Sequence, residues 1–336
     1  MKRHSLGLTA IAIAIAVFLA IFLISPIVSV VYTAFSDGHG GLTLSHFFAF
    51  FEISLMRESF ANSLFVAGMT VLGATLIAIP LAYLTMRFQF RGAVLIQTLG
   101  VLPLVMPAFV GAAAMQLIFG RSGAVNLILM DLFGFSIPVM EGLSGIIFVE
   151  TLHYFPFILL NLSASLATID SSMEEAGQNL GASGWRLFSK IIFPLALPGY
   201  IAGASLVFIK VFDDLGTPLV LNVTNMLAPQ AYLRVTSIGI EDPIGYVICV
   251  ILVLFSIAAM GGSWWFVKRR DYALISRGGA QAPKRKLTSW QSVMAYGWII
   301  GILMLVLSPH LGILLMSLFK VWSFSILPEH FTFAHY

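Results

Sequence analysis

Along the chain, long apolar blocks alternate with short polar stretches. The blocks run roughly over Leu6–Tyr32, Phe60–Met86, Ala93–Phe119, Gly142–Leu166, Leu195–Leu221, Tyr246–Val267 and Val293–Phe319. Each is long enough for an α-helix rising 1.5 Å per residue to cross about 30 Å of hydrocarbon. The pattern predicts an all-α, polytopic membrane protein with about seven transmembrane helices. Ser36–Glu58, Gly120–Glu141 and Asn222–Gly245 mix apolar residues with Gly, Pro and Asn, which fits short re-entrant or interfacial helices. Between Lys268 and Trp290 the chain turns polar and basic, with Gly278-Gly279 and Pro283, and reads as a linker.

The expected organisation is a first unit over 1–267 with six helices, a basic linker over 268–290, and the start of a second, incomplete unit over 291–336. An internal echo supports the division. Ser25-Pro26 through Phe35 to Thr43-Leu44-Ser45-His46-Phe47 is matched by Ser308-Pro309 through Phe319 to Thr332-Phe333-Ala334-His335-Tyr336. The expectation is therefore the first half of a fused two-unit protein plus the opening of the second half. A chain that forms homodimers, with a peripheral seventh helix, is the alternative.

Composition agrees with the pattern: 59% of residues are hydrophobic, 10% are charged and the mean hydropathy is +0.96. A soluble domain carries about 25% charged residues, so a water-soluble enzyme is excluded. The net charge of +3 identifies no partner, and no nucleic acid is expected; the surroundings are membrane lipid. Its distribution does report orientation. With the N-terminus inside, the inner segments hold Lys2, Arg3, Arg87, Arg91, Arg186, Lys190, Lys268, Arg269, Arg270, Arg277, Lys284, Arg285 and Lys286, which is 13 of the 18 Lys and Arg residues. The positive-inside rule selects that orientation. The first block is longer than a signal peptide's apolar region and lacks a clear small-residue cleavage site, so it reads as an uncleaved helix. Cys249 is alone and can form no internal disulfide.

No catalytic signature is present: there is no G-x-x-x-x-G-K-[ST] phosphate loop, no H-E-x-x-H helix and no G-x-S-x-G elbow. If ATP drives this protein, another chain binds it. No metal site is expected, and His153, in the fourth block, fits a packing role.

The most informative segment lies between the fourth and fifth blocks, from Asp170 to Phe188. Ser171 and Glu174 match the S-x-x-E capping box at a helix start. The helix should reach Leu180, Gly181 can take the left-handed conformation that ends it, and Ser183 can cap a second helix carrying Trp185, Phe188 and Ile192. An amphipathic loop resting on lipid headgroups and a docking element that shows Glu175 to a partner both fit this pattern. Within the fifth block, Lys210 can meet Asp213 or Asp214 at i+3 or i+4, which would offset part of the cost of charge at membrane depth. With Glu150 of the fourth block, these residues could line a path or, in the case of Lys210 and the aspartates, form a structural ion pair. Gly199-x-x-x-Gly203 fits close helix packing.

Glu175-Ala176-Gly177, then Leu180-Gly181-Ala182-Ser183, Phe188, Pro194-Leu195 and Pro198-Gly199 resemble the EAA loop of permease subunits of ATP-binding cassette importers. The third position is glycine here instead of alanine. The resemblance covers most of Phe60–Val267. Gly120-Arg121-Ser122-Gly123 through Asn126, and Asp214-Leu215-Gly216-Thr217-Pro218, are similar to iron(III)-type permeases, which often fuse two permease halves in one chain. The resemblance implies a type I importer permease fold in a bacterial inner membrane. It also implies an ATPase-coupling loop over Ser171, Glu174, Glu175, Ala176, Gly177, Leu180, Gly181, Ala182, Ser183 and Pro194; the candidate translocation path, Glu150, Lys210, Asp213 and Asp214, rests instead on their charge at membrane depth. The implied partners are cytoplasmic nucleotide-binding ATPase subunits, which use the ATP, and a periplasmic or extracellular substrate-binding protein. No cofactor is expected on this chain. The expected substrate is ferric iron, with thiamine, phosphonate, polyamine or another small solute as alternatives. An ion-coupled secondary transporter using Glu150, Lys210 and the two aspartates is a reading of a different class, and a receptor-like or structural membrane protein is a third.

Overall fold

The computed structural model describes residues 2–239, 242–269, 284–322 and 325–336. Among these, seven helices are long and apolar enough to cross a membrane. In chain order the helices are α1 (Lys2–Leu19), α2 (Ser25–Phe35), α3 (Ser45–Glu52), α4 (Ser54–Arg87), α5 (Ala93–Val101), α6 (Ala108–Phe119), α7 (Ala124–Phe133) and α8 (Gly142–Ala167). There follow α9 (Ser171–Asn179), α10 (Gly184–Leu187), α11 (Phe193–Phe212), α12 (Gly216–Val220), α13 (Leu227–Leu233), α14 (Pro243–Arg269) and α15 (Ser289–Leu318). A small antiparallel hairpin closes the described chain, β1 (Phe319–Val321) with β2 (Glu329–Phe331), pairing Phe319 with Phe331 and Val321 with Glu329.

The chain divides into two compact units. One comprises the described parts of Met1–Ala61 and Asn225–Phe255, the other those of Asn62–Thr224 and Ser256–Tyr336. In the first, Phe60 and Phe255 meet edge to face at 5.3 Å, Arg234 pairs with Asp242 at 2.8 Å, and Asn225 donates to Glu58 at 2.7 Å. The second is organised around α8, whose side chains are buried along most of its length. Lipid tails are as apolar as leucine, so helices in a bilayer associate through close packing more than through the hydrophobic effect. The contact of α11 with α8 uses this device. A Cβ on Gly199 would strike the Asn161 carbonyl, and one on Gly203 would lie 2.6 Å from the Ile158 Cα. The Gly199-x-x-x-Gly203 pattern thus seats α11 directly on the backbone of α8. Gly73 similarly makes room on α4 for Thr151 of α8.

Two block boundaries differ from the sequence expectation. The third block, Ala93–Phe119, is not one helix: α5 gives way to a 3₁₀ turn at Leu102–Val105, and α6 starts afresh after Pro107. Pro103 and Pro107 remove two backbone donors, and Pro107 pushes the residue before it out of the helical region, as the extended Met106 shows (φ −108°, ψ 155°). The fifth block starts earlier than Leu195, because α10 runs through a π turn at Phe188–Ile192 into α11; it stops at Phe212, short of Leu221. Of the expected linker over 268–290, residues 270–283, including Gly278-Gly279 and Pro283, lie outside the described residues.

The echoed segments share local geometry. After α2, the Thr43 amide donates to the carbonyl of Phe35 at 2.7 Å and the Thr43 hydroxyl accepts the amide of Ser45 at 3.0 Å. After α15, the Thr332 amide donates to Leu318 at 2.8 Å and its hydroxyl accepts the amide of Ala334 at 3.0 Å.

Candidate functional site

The segment joining α8 to α11 is a helix-turn-helix. α9 ends in a Schellman motif: the Ala182 amide donates to Gly177 at 3.0 Å and the Gly181 amide to Gln178 at 2.8 Å, with Gly181 at φ +85°. Ser183 occupies the N-cap of α10 in an extended conformation, without the expected side-chain bond. Trp185 points outward, whereas Phe188 and Ile192 are buried. The π turn directly precedes Pro194, whose ring cannot accommodate an ordinary helical turn behind it.

The capping box expected of Ser171 and Glu174 does not form. Asp170 is the N-cap, accepting the Ser172 amide at 2.9 Å, and Ser171 is the first residue of the helix. Aspartate caps as well as serine, and Glu174 has stronger partners elsewhere. Its carboxylate is buried, with Arg87 Nη2 of α4 2.8 Å from Oε1 and Arg285 Nη2 3.3 Å from Oε2. The same Arg87 nitrogen donates to the carbonyl of Leu166 at 3.0 Å, near the end of α8. Tyr83 lies within the field of these charges, its ring 4.8 Å from that of Phe188.

Glu174 and Gly177 are the buried residues of α9. A Cβ on Gly177 would overlap the Cδ1 of Ile191, which accounts for glycine at the third position of the EAA-like run. The opposite surface is open: Met173, Glu175, Ala176, Gln178, Asn179 and Gly181 are exposed there, and Leu180 is 89% and Trp185 77% exposed. A short polar helix thus displays one acidic side chain beside bare apolar groups, at the junction of two helices packed backbone to backbone.

The charged residues of the membrane region are arranged differently from expectation. Lys210 is exposed and makes no ion pair within 4 Å among the described residues. α11 caps at Asp213 (φ −96°, ψ 1°), so the helical i+4 spacing from Lys210 to Asp214 no longer applies. Asp213 accepts the Ser256 hydroxyl at 3.0 Å, and Asp214 accepts the Thr217 amide at 3.0 Å at the start of α12. Glu150 is fully buried, neither of its carboxyl oxygens meets hydrogen-bond geometry among the described residues, and Asp214 is close enough to act on it electrostatically. The structure therefore brings Glu150 and Asp214 together, while Lys210 acts on Asp213 only from beyond ion-pair distance.

Three residues gain roles that sequence reasoning missed. Arg87 and Arg285 stood only in the tally of inner cations, yet they hold Glu174. Asn126, quoted within the G-R-S-G run, is buried and saturated: its amide nitrogen donates to Phe119, Gly120 and Ile137 at 2.9–3.2 Å and its oxygen accepts the Ile137 amide at 2.8 Å. It pins the reversal from α6 into α7. A polar amide among apolar neighbours was its sole advance signal.

Comparison with known proteins places this geometry in context. Residues 74–272 match the family described as binding-protein-dependent transport system inner membrane component. The ferric transport system permease protein FbpB of Actinobacillus pleuropneumoniae is 29% identical over 246 residues, covering 71% of this chain and 36% of the relative, so the chain spans about a third of that protein's length. The molybdenum transport system permease protein ModB of Haemophilus influenzae is 32% identical over 217 residues, covering 63% of this chain and 93% of the relative. The crystal structure of a bacterial ATP-binding cassette transporter involved in the import of the acidic polysaccharide alginate superposes with a TM-score of 0.63 at 18% identity. That match covers 80% of this chain and 96% of that one, a likeness of fold.

Proposed function

The chain belongs to the family of binding-protein-dependent transport system inner membrane components, and on that premise we propose that it is the permease part of an ATP-driven solute importer. In this reading it sits in a bacterial inner membrane with its N-terminus inside, and α9 docks on a cytoplasmic ATPase that binds the nucleotide. A binding protein delivers solute to the opposite face, and closure of the ATPase subunits moves α9, and with it α8 and α11, to switch access to the path. Each ligand must favour one of the two states for such switching to occur. Glu150, Lys210, Asp213 and Asp214 are the path residues of this proposal. The proposed substrate is ferric iron, supported by the ferric relative; the molybdenum relative makes molybdenum the competing cargo.

The observation that carries the reading is the exposed surface of α9, with Glu175 beside Leu180 and Trp185, on a helix held by Arg87, Arg285 and the residues Leu187 and Ile191 that lead into α11. Exposed apolar groups of this kind on a polar loop mark an interaction site. In the assembled complex Glu175→Ala should weaken ATPase association about tenfold, the loss of one hydrogen bond to a charged group, about 1.5 kcal/mol. Gly181→Val should disrupt the loop itself, because a β-branched residue strains at φ +85°. Co-purification and ATP hydrolysis stimulated by loaded binding protein are the readouts. Normal values for both in both variants would remove α9 from the coupling path.

A further inference from the structure

Beside the helix-turn-helix lies a segment that the proposed coupling does not use. Lys284 and Arg285, immediately before α15, run alongside the end of α4 as a short parallel bridge between Phe88 and Arg285. The backbone of Arg285 is fixed on both sides: its amide donates to the carbonyl of Arg87 and its carbonyl accepts the amide of Gln89, each at 2.9 Å. Lys284 is fixed too, its Nζ donating to the carbonyl of Thr85 at 2.9 Å and its carbonyl accepting from the Gln89 side chain at 3.1 Å. The start of α15 is tied to the same stretch. The Tyr296 hydroxyl accepts the Arg91 amide at 2.9 Å and donates to the Arg91 carbonyl at 3.3 Å, and its ring meets Phe90 at 5.0 Å.

We infer that this segment is a positioning strap for α9, with Arg285 as the positioning residue. Three observations carry the inference. α9 has nine residues, below the length at which an isolated helix holds itself together in water, so its placement depends on what it is attached to. Its inward attachment consists of Gly177 against Ile191 and Leu187, and of Glu174 between two guanidinium groups. One of those groups, Arg87, comes from α4 and is also bonded to the end of α8, whereas the other comes from the strap that leads into α15. Arg285 can reach Glu174 only because its own backbone is held by Arg87 and Gln89. The seat of α9 is therefore completed from a part of the chain more than a hundred residues away, and movement of α15 or of the strap is felt at Glu174.

The functional consequence rests on the importer reading. With the strap seated, α9 meets the ATPase at one fixed angle; with the strap released, α9 rocks on Gly177 and ATP is hydrolysed with less solute moved.

The test has two arms. In the full chain in lipid nanodiscs, amide hydrogen exchange across residues 172–181 should be about tenfold faster in Arg285→Ala than in the unaltered protein, with α8 and α11 unchanged. Arg285→Lys keeps the charge and loses the planar fork, and should fall between the two. Unchanged exchange of α9 in Arg285→Ala overturns the strap, as does equal loss of protection in α8 and α11. In the complex with its ATPase and binding protein, Arg285→Ala should still assemble but consume about threefold more ATP per solute transported, and an unaltered ratio overturns the coupling role. If the unaltered chain recruits no ATPase, the importer reading falls, while the exchange arm still decides the strap.

Discussion

Glu174 and Glu150 are both buried carboxylates in the same compact unit, yet their surroundings are opposite. Glu174 lies between two guanidinium groups, one of them also bonded to a backbone carbonyl, and so joins α4, α9 and the strap before α15. Glu150 sits in the most buried helix with neither oxygen in hydrogen-bond geometry among the described residues and another carboxylate, Asp214, nearby. Burial alone therefore does not state a charged residue's role; its partners do. A carboxylate with two cations is a joint, and removing one member leaves a buried charge exposed to the full desolvation cost. A carboxylate faced by another carboxylate and by no cation joins nothing, and removing it strands no opposite charge.

The contrast can be broken most directly at Arg87. Arg87→Met should cost about 3–5 kcal/mol, the usual penalty for breaking a buried ion pair from one side. Thermal unfolding in detergent would show it as a lower midpoint. Combined with Glu174→Gln, the loss should be clearly less than the sum of the two single effects, because both variants remove the same joint; additive losses would mean that the pair is not one. Asn126→Ala sharpens the comparison with a neutral group that is buried and fully bonded. Its four hydrogen bonds go; the Ile137 amide and the Phe119 carbonyl lose the partner Asn126 gave them, while the Gly120 and Ile137 carbonyls keep the amides of Gly123 and Val139, so a loss of about 2–3 kcal/mol is expected, measured in the same way. Glu150→Gln should be smallest, within about 1 kcal/mol of the unaltered protein, since no ion pair is broken. If Glu150→Gln destabilises as much as Arg87→Met, the distinction between the two carboxylates fails.

Much of this architecture is legible in the sequence, because it is written at short range. Six of the seven apolar blocks fall on long helices and the third is broken, Gly181 took the left-handed turn, and the glycines at 199 and 203 marked the α11 contact with α8. Where short-range signals competed, reading faltered. Asp170 and Ser171 are equally good caps, and only the arginines around Glu174 decide between them. Pro103 and Pro107 were visible inside the third block, but its unbroken hydrophobicity spoke for one helix. The Glu174 clamp could not be read at all, since Arg87, Glu174 and Arg285 are joined by the fold and nothing in their local context separates them from ordinary cations and anions at helix ends. The pairing expected of Lys210 failed for a related reason. The i+4 option assumed that the helix continued to Asp214, and the helix stops at Phe212, two residues sooner.

The two threonine turns point to a different kind of consequence. At Thr43 and Thr332 the chain leaves a long helix and doubles back using one amide and one hydroxyl of the same residue, with bond lengths that agree to about a tenth of an ångström. The two loops so closed differ in length, eight residues back to Phe35 in one case and fourteen back to Leu318 in the other, so what they share is the threonine joint alone. The vocabulary of the fold, at this point, is smaller than its length.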